Sequence, residues 1–192
     1  MKPGAPMRSR TCASAVKQRF IHSLVAVLLV ALASAGGASA EMLKPGETFP
    51  AWSLPDQSGS TVSSSQLAGK TYLIWYYPKA MTSGCTREGQ ELRDHFAAFQ
   101  QLDVAVYGVS FDEPAANREF AEKEKFPFPL LSDSDHKLAT KVGAAYFSLQ
   151  PVSFRVSYLI GGDGKVLKAY DSVDPATHAE ELLKDITTLR AK

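Results

Sequence analysis

The fold of this protein is decided by the stretch Thr71–Asp94, whose sequence is TYLIWYYPKAMTSGCTREGQELRD. Its first seven residues, up to Tyr77, are β-branched, aromatic or leucine, which is typical of a short strand covered on both faces. Pro78 ends this strand. Apolar residues then recur at helical spacing: Leu92, Phe96, Phe99 and Leu102. They predict a helix that begins near Cys85 and buries one apolar stripe.

The predicted helix places the thiol of Cys85 in its first turn. Free backbone N–H groups and the positive end of the helix dipole favour negative charge at such a position. The position therefore favours the reactive thiolate over the thiol. Taken alone, the residue could equally be a buried and inert cysteine that packs as a small hydrophobic side chain.

Composition indicates one globular core, since 45% of the 192 residues are hydrophobic and 21% are charged. The net charge of +1 hides an asymmetry between the two ends of the chain. Five of the 21 basic residues lie in residues 1–40, which contain no acidic residue, so residues 41–192 carry 16 basic and 20 acidic side chains. This balance argues against a basic face that binds nucleic acid.

Residues 1–40 have the organisation of a secretory signal peptide. A basic start is followed by the short apolar run Leu24–Ala35 and by the small residues Ala38, Ser39 and Ala40. We expect cleavage before Glu41, which would release a domain of residues 41–192 into the periplasm without stable membrane association. The alternative is an uncleaved membrane anchor, although the apolar run is shorter than the ~20 residues that a membrane span prefers.

Strand and helix patterns alternate along the rest of the chain. Strands are predicted at Phe49–Leu54, Thr61–Val62, Val104–Ser110, Ser153–Ile160 and Lys165–Tyr170. Helices are predicted at Glu113–Lys125, begun by Asp112, at Asp133–Val142, and after Asp174. The first two strands are joined by turn residues and predict an N-terminal β-hairpin. The order predicts an α/β, thioredoxin-like fold with a mixed central sheet flanked by helices.

The chain has two cysteines, Cys12 and Cys85, and the first lies in the predicted leader. The mature protein would therefore carry a single thiol. In an exported domain that has no structural disulfide, a single cysteine at the start of a helix more often serves the chemistry of the protein than its stability.

A family resemblance is carried by the residues around this thiol. The spacing Pro78-x-x-x-Thr82-x-x-Cys85 resembles the peroxiredoxin active-site motif, and Tyr76–Thr86 is similar to the bacterioferritin-comigratory, or Q-type, subfamily. The similarity continues in three further segments: Phe49–Gly59, Leu130–Asp133 and Phe154–Ile160. It covers nearly the whole chain after residue 40 and independently implies a thioredoxin-like fold.

The resemblance implies a thiol-dependent peroxidase that needs no cofactor. Cys85 would attack hydrogen peroxide or an organic hydroperoxide and become a sulfenic acid. Thr82, Arg155 and the backbone N–H of Cys85 would contact the peroxide, and Pro78 would cover the pocket. The ordinary alternatives are that Thr82 caps the helix and that Arg155 is a solvated strand residue.

Two residues depart from the Q-type pattern. Gln90 stands where many members carry a resolving cysteine, and Ser83 stands where proline is frequent. Without a second thiol, the sulfenic acid would need an external reductant: a thioredoxin-like or glutaredoxin-like protein, or a small thiol. We expect the mature protein to be a monomer.

Other functional classes remain open at this point. A disulfide oxidoreductase would normally carry Cys-x-x-Cys, but residue 88 is Glu. The main rival is a non-enzymatic thioredoxin-fold module that binds a partner or a metal through Cys85.

The remaining candidate side chains do not suggest a metal site. His95 and His136 have no ligand spacing with Cys85, and His178 is predicted on a polar helix face. Lys79 and Arg87 are interpreted as solvated neighbours of the thiol.

Overall fold

A five-stranded mixed sheet lies at the centre of the protein in its computed structural model, which describes residue 1 and residues 41–191. The strands are β1 (Ser53–Pro55), β2 (Thr61–Ser63), β3 (Thr71–Tyr76), β4 (Val104–Ser110), β5 (Leu130–Ser132), β6 (Val156–Ile160) and β7 (Val166–Tyr170). The α-helices are α1 (Ser83–Asp94), α2 (Phe96–Gln101), α3 (Pro114–Glu124), α4 (Lys137–Lys141) and α5 (His178–Arg190), and Ser64–Leu67 forms a 3₁₀ turn. The strand order in the central sheet is β5-β4-β3-β6-β7.

The central strand β3 has a parallel neighbour on one side and an antiparallel neighbour on the other. It pairs with β4 from Thr71 opposite Val104, and with β6 such that Tyr76 lies opposite Val156. All of its residues after Thr71 are buried, as a strand covered on both faces requires. The predicted mixed sheet is therefore confirmed.

The two faces of the sheet bury two separate apolar clusters. Because successive strand side chains point to opposite faces, Leu73 and Trp75 enter one cluster, whereas Ile74 and Tyr76 enter the other. The first cluster is covered by α1, α2, α3 and α5 and contains Cys85. The fold therefore places the thiol on the inner side of α1, against the face of the sheet that carries Trp75.

The predicted N-terminal hairpin is confirmed as β1 and β2, which pair antiparallel with Leu54 opposite Val62. Its turn is held by Asp56, whose Oδ1 accepts hydrogen bonds from the N–H groups of Ser58 and Ser60. Such local bonds explain why aspartate favours tight turns.

One predicted helix is two helices in the structure. The helical spacing from Leu92 to Leu102 predicted a continuous element, but the chain leaves helical geometry at His95, where ψ is 5°. The ring Nδ1 of His95 lies 2.9 Å from the carbonyl oxygen of Glu91, the same oxygen that accepts the His95 N–H. Local side-chain bonds of this kind compete with the helix ladder, while Phe99 of α2 continues the buried stripe.

Strand β6 begins three residues later than predicted, at Val156. The hydroxyl of Ser153 donates to the carbonyl oxygen of Tyr77, and the N–H of Phe154 donates to the carbonyl oxygen of Ala144. These bonds take the place of ladder bonds, so the segment is extended without belonging to the sheet. Arg155 therefore precedes the strand instead of lying within it.

Helices α4 and α5 also start later than their first polar residues suggest. The carboxylate of Asp133 accepts hydrogen bonds from the N–H groups of Leu138 and Ala139. Residues 134–136, between Asp133 and α4, therefore form a loop. Asp174 likewise accepts the N–H of Ala176 in a turn that precedes α5. Asp133 thus satisfies free N–H groups in the first turn of α4 from further upstream than a capping position, whereas the bond of Asp174 lies entirely within the turn before α5.

None of the helices described between residues 41 and 191 has both the length and the apolar character needed to cross a bilayer. The predicted leader, residues 1–40, lies outside the described residues apart from Met1. The boundary of the domain at residue 41 therefore remains a prediction.

Candidate active site

Cys85 is the third residue of α1 and is fully buried. Its helix begins after the loop that leaves β3, so the thiol lies beyond the carboxyl end of the central strand. The N–H groups at the first three positions of a helix have no partner within that helix, and that of Cys85 is one of them. The site therefore combines a thiol, free N–H donors and the positive end of a twelve-residue helix.

Arg155 brings a fixed positive charge to the thiol. Its Nη2 lies 3.5 Å from the Sγ of Cys85, although the two residues are 70 positions apart. The approach follows from the sheet: β6 runs antiparallel to β3, so the start of β6 lies beside the end of β3, where the loop to Cys85 begins. The side chain is 21% exposed and paired, so the interpretation of Arg155 as a solvated strand residue does not describe it.

Glu88 is a site residue that sequence reasoning missed. It is fully buried, lies one helical turn after Cys85, and its carboxylate accepts a hydrogen bond from Nη1 of Arg155. Burial raises the pKa of Glu88 to about 7, against the opposing effects of the Arg155 charge and the Trp75 indole. Spacing carried a signal for this residue, because Glu88 lies four residues before Leu92 of the predicted apolar stripe, and positions i and i+4 share a helix face.

Arg155 is therefore shared between two partners. One edge of the guanidinium faces the Glu88 carboxylate and the other faces the Cys85 sulfur. A planar guanidinium has donors in fixed directions, so the ion pair with Glu88 also orients the donor that faces the thiol. If Glu88 were protonated, the Cys85 sulfur would be the only remaining partner for the positive charge of Arg155.

Thr82 occupies the residue before α1, but its side chain does not cap the helix. Its hydroxyl donates instead to the carbonyl oxygen of Lys79, at 2.9 Å. The oxygen keeps lone pairs that can accept a hydrogen bond. The alternative interpretation of Thr82 as a side-chain cap is therefore not supported by the geometry.

The remaining predicted residues lie in the loop between β3 and α1 and on α1 itself. Pro78 is half-buried and follows the fully buried Tyr77. Lys79 is exposed, and Arg87 forms an ion pair with Glu91 on the outer part of α1, at 2.9 Å. These two cations are surface neighbours of the thiol, as predicted.

The prediction for His178 was wrong. The side chain is fully buried, its Nε2 lies 3.0 Å from the Oγ of Ser157, and the ring meets the edge of Tyr170 at 5.2 Å between centroids. Burial, together with the positive charge of Arg155, lowers the pKa of His178 to about 4. His178 faces inward because it lies four residues before the buried Leu182 of α5.

Metal ligands are not gathered in the part of the chain that the structure describes. Within residues 41–191, no three side chains among His, Cys, Asp and Glu lie together in a way that could hold an ion. The chemistry that the described site can carry is that of a buried thiol with an arginine and helix N–H donors beside it.

Known proteins resemble this chain in sequence and in fold. Residues 45–169 match the model of the AhpC/TSA family. The chain is 37% identical over 150 residues to peroxiredoxin Bcp of Escherichia coli K12, covering 73% of this chain and 94% of that protein. It is 33% identical over 156 residues to peroxiredoxin Bcp of Bacillus subtilis, covering 77% and 97%.

Two solved structures resemble the fold of this chain. Peroxidoxin BcpB from Mycobacterium tuberculosis superposes with a TM-score of 0.70 at 33% identity, covering 79% of this chain and 98% of that one. A mutant of PrxQ from Xylella fastidiosa superposes with a TM-score of 0.73 at 26% identity, covering 79% and 99%.

Proposed function

Since the chain belongs to the AhpC/TSA family, shares the fold of the Bcp/Q peroxiredoxins and is a thiol-dependent peroxidase, we propose that Cys85 is its peroxidatic residue. The observation that carries this assignment is the buried Sγ of Cys85 at a helix start with Nη2 of Arg155 at 3.5 Å. Among the described residues Cys85 is the only cysteine. The rival interpretation, a non-enzymatic binding module, is not favoured by these relatives.

The reaction begins with attack of the Cys85 thiolate on one oxygen of the peroxide. An S–O bond forms as the O–O bond breaks, and the departing oxygen takes a proton to become water or an alcohol. The sulfur is oxidised by two electrons to a sulfenic acid, and the peroxide is reduced by two. Hydrogen peroxide and organic hydroperoxides both satisfy this balance.

The neighbouring groups are assigned by the charge that they can stabilise. Arg155 faces the sulfur and would stabilise both the thiolate and the negative charge on the departing oxygen. The N–H of Cys85 would add a second donor. The hydroxyl oxygen of Thr82 would accept the peroxide O–H, and Pro78 would limit the entry of water.

The sulfenic acid is resolved by a thiol from outside the chain. A reduced thioredoxin-like or glutaredoxin-like protein, or a small thiol, would condense with it, form a mixed disulfide at Cys85 and release water. A second thiol would then displace Cys85. Gln90 supports this scheme, because it offers no thiol for an internal disulfide. Its side-chain amide instead donates a hydrogen bond to the carboxylate of Glu124, at 2.8 Å. The mature protein is proposed to act as a monomer.

The proposed compartment is the periplasm. Its support is the organisation of residues 1–40, with a basic start, an apolar run and an Ala-Ser-Ala end. The intact mass of the exported protein tests this proposal: a mass that begins at Glu41 agrees with it. Retention of residues 1–40 would favour the membrane-anchored alternative.

The function itself is tested by peroxide consumption with a dithiol as reductant. We expect turnover by the wild-type protein, and consumption of one peroxide per thiol when no reductant is present and peroxide is not in excess over the thiol. Cys85→Ser should abolish both. Cys12→Ser is the matched control and should leave turnover unchanged, because Cys12 lies in the predicted leader. Turnover by the Cys85→Ser protein would contradict the assignment.

A further inference from the structure

One carboxylate ties the active-site loop to the end of a neighbouring strand. The Oδ2 of Asp112 accepts a hydrogen bond from the backbone N–H of Ala80, at 2.8 Å. Asp112 lies two residues beyond β4, and Ala80 lies midway between Pro78 and Thr82. The bond therefore joins two segments that are 32 positions apart in the chain.

This contact overturns the role that the sequence predicted for Asp112. The pattern predicted that Asp112 begins α3, but the residue before that helix is Glu113, and no side chain caps it. Pro114 occupies the first helical turn and has no N–H to offer. The carboxylate is therefore free of the helix and is directed across to the loop.

Asp112 is itself held by buried polar groups. Its N–H donates to the hydroxyl of Ser110, which is fully buried, as is Asn117. The amide oxygen of Asn117 accepts from the hydroxyl of Tyr77 at 2.7 Å, and Tyr77 directly precedes Pro78. Both the start and the middle of the loop are thus attached to this one polar cluster of Tyr77, Ser110, Asp112 and Asn117.

The loop needs such an attachment because its backbone is strained next to the bond. Met81, between Ala80 and Thr82, has a φ of 63°, in the left-handed region that residues with a Cβ avoid. A conformation of this kind persists only where the surroundings impose it. The Met81 side chain packs against the apolar cluster around Cys85, and the Asp112 bond holds the N–H of the preceding residue, Ala80.

We propose that Asp112 is a positioning residue for the peroxide reaction: it holds the Ala80 N–H and so keeps Thr82 and the first turn of α1 in their reactive arrangement. It acts through the backbone of the loop and does not touch the sulfur or the substrate. This inference rests on the proposed function of Cys85. Since a displacement of ~1 Å can cost about 100-fold in rate, loss of the bond should slow the reaction strongly.

The test compares variants that keep or lose an acceptor at this position, measuring the second-order rate of Cys85 oxidation by hydrogen peroxide. Asp112→Asn keeps an oxygen that can accept the Ala80 N–H, and its rate should stay within about threefold of wild type. Asp112→Ala and Asp112→Ser, which cannot reach it, should be slower by about 10- to 100-fold. Hydrogen exchange at the Ala80 amide should lose protection in the same two variants only.

Two controls separate positioning from general damage. Asp163→Ala removes a carboxylate that also accepts a backbone N–H, that of Lys165, but on the β6–β7 turn, and should react at the wild-type rate. Leu138→Ala opens a cavity in the apolar cluster on the other face of the sheet and should lower the urea midpoint without changing the peroxide rate. A slow Leu138→Ala protein would attribute the effect to stability and overturn the inference.

Two further outcomes would each overturn a proposal. A peroxide rate for Asp112→Ala within twofold of wild type would overturn the positioning role, whatever happens at the Ala80 amide. A wild-type protein whose thiol reacts no faster than a free peptide cysteine would refute the proposed function and the rate effect with it. In that case the exchange of the Ala80 amide would still show whether Asp112 anchors the loop.

Discussion

Arg155 faces two partners of different chemistry with one guanidinium group. The Glu88 carboxylate orients the group, and the Cys85 sulfur receives a donor at 3.5 Å. At an effective dielectric constant of about 20, two unit charges at this separation attract by on the order of 4 kcal/mol before desolvation is subtracted. Because Arg155 is largely removed from water, an attraction of this size is large enough to influence the rate of the reaction at Cys85.

Replacing Arg155 by Ala should slow the reaction of Cys85 with peroxide by about 10²- to 10³-fold, the usual loss when one transition-state donor is removed. Stopped-flow oxidation at several concentrations of hydrogen peroxide measures this second-order rate.

Arg87→Ala is the matched control, because Arg87 lies two residues from Cys85 but forms an exposed ion pair with Glu91. Its rate should equal that of wild type. If Arg155→Ala left the rate unchanged, Arg155 would have no place in the site.

At the scale of the elements, two helices place oppositely perturbed groups near Arg155. Helix α1 supplies Glu88, whose pKa is raised from 4.5 to about 7, and α5 supplies His178, whose pKa is lowered from 6.5 to about 4. The folded state binds a proton at Glu88 more readily than the unfolded state does, and binds one at His178 less readily. Their contributions to the pH dependence of stability therefore have opposite signs.

Between pH 4.5 and 6.5 we expect these two contributions to cancel. The stability due to Glu88 is present below pH 4.5 and is lost as the pH rises to about 7. The stability due to His178 is present above pH 6.5 and is lost as the pH falls to about 4. Each amounts to at most about 3 kcal/mol over its window.

Single variants should expose one contribution at a time. Glu88→Gln leaves His178, so its free energy of unfolding should rise with pH from about 4 to 6.5. His178→Gln leaves Glu88, so its free energy of unfolding should fall between pH 4.5 and 7. Urea unfolding at several pH values measures both slopes relative to wild type. Parallel curves for all three proteins would refute the opposing pair.

For the whole molecule, the number of thiols controls the fate of the oxidised cysteine. Within residues 41–191 the structure describes one cysteine, and it is fully buried. In the proposed reaction its sulfenic acid would have no internal thiol partner among these residues, so the oxidised protein would need an external one. Further peroxide would compete with that step and lead to sulfinic and sulfonic acids.

Peroxide treatment without reductant should therefore add oxygen atoms to the mature monomer and produce no intramolecular disulfide. Mass spectrometry of the intact protein, with and without prior alkylation of Cys85, measures the added mass. A matched sample with a dithiol present throughout the treatment should keep the reduced mass, because a thiol reduces the sulfenic acid but not the sulfinic or sulfonic acid. A Cys85–Cys85 dimer that forms predominantly and is rapidly reduced during turnover would contradict the one-cysteine scheme while leaving the peroxidase function intact.

Local patterns in the sequence were enough to determine the elements around the thiol. The run from Thr71 and the spacing from Leu92 predicted β3, α1 and a cysteine in the first turn, and Val104–Ser110 was predicted with the bounds that β4 has. These succeed because strand and helix periodicities are properties of neighbouring residues. The hairpin at Asp56 was predictable for the same reason, since its turn bonds join residues two to four positions apart.

Only the tertiary structure decided how the site is held. Glu88 meets Arg155 across 67 positions, His178 meets Ser157 across 21, and Asp112 meets Ala80 across 32. Helical spacing carried a signal that Glu88 and His178 face inward. No local pattern identifies the partner of either side chain or distinguishes Asp112 from a helix cap, because their polar groups have the same chemistry in either setting. Pairing of β3 with β6 and the docking of α5 remove Glu88 and His178 from water, and burial then requires that each find a partner.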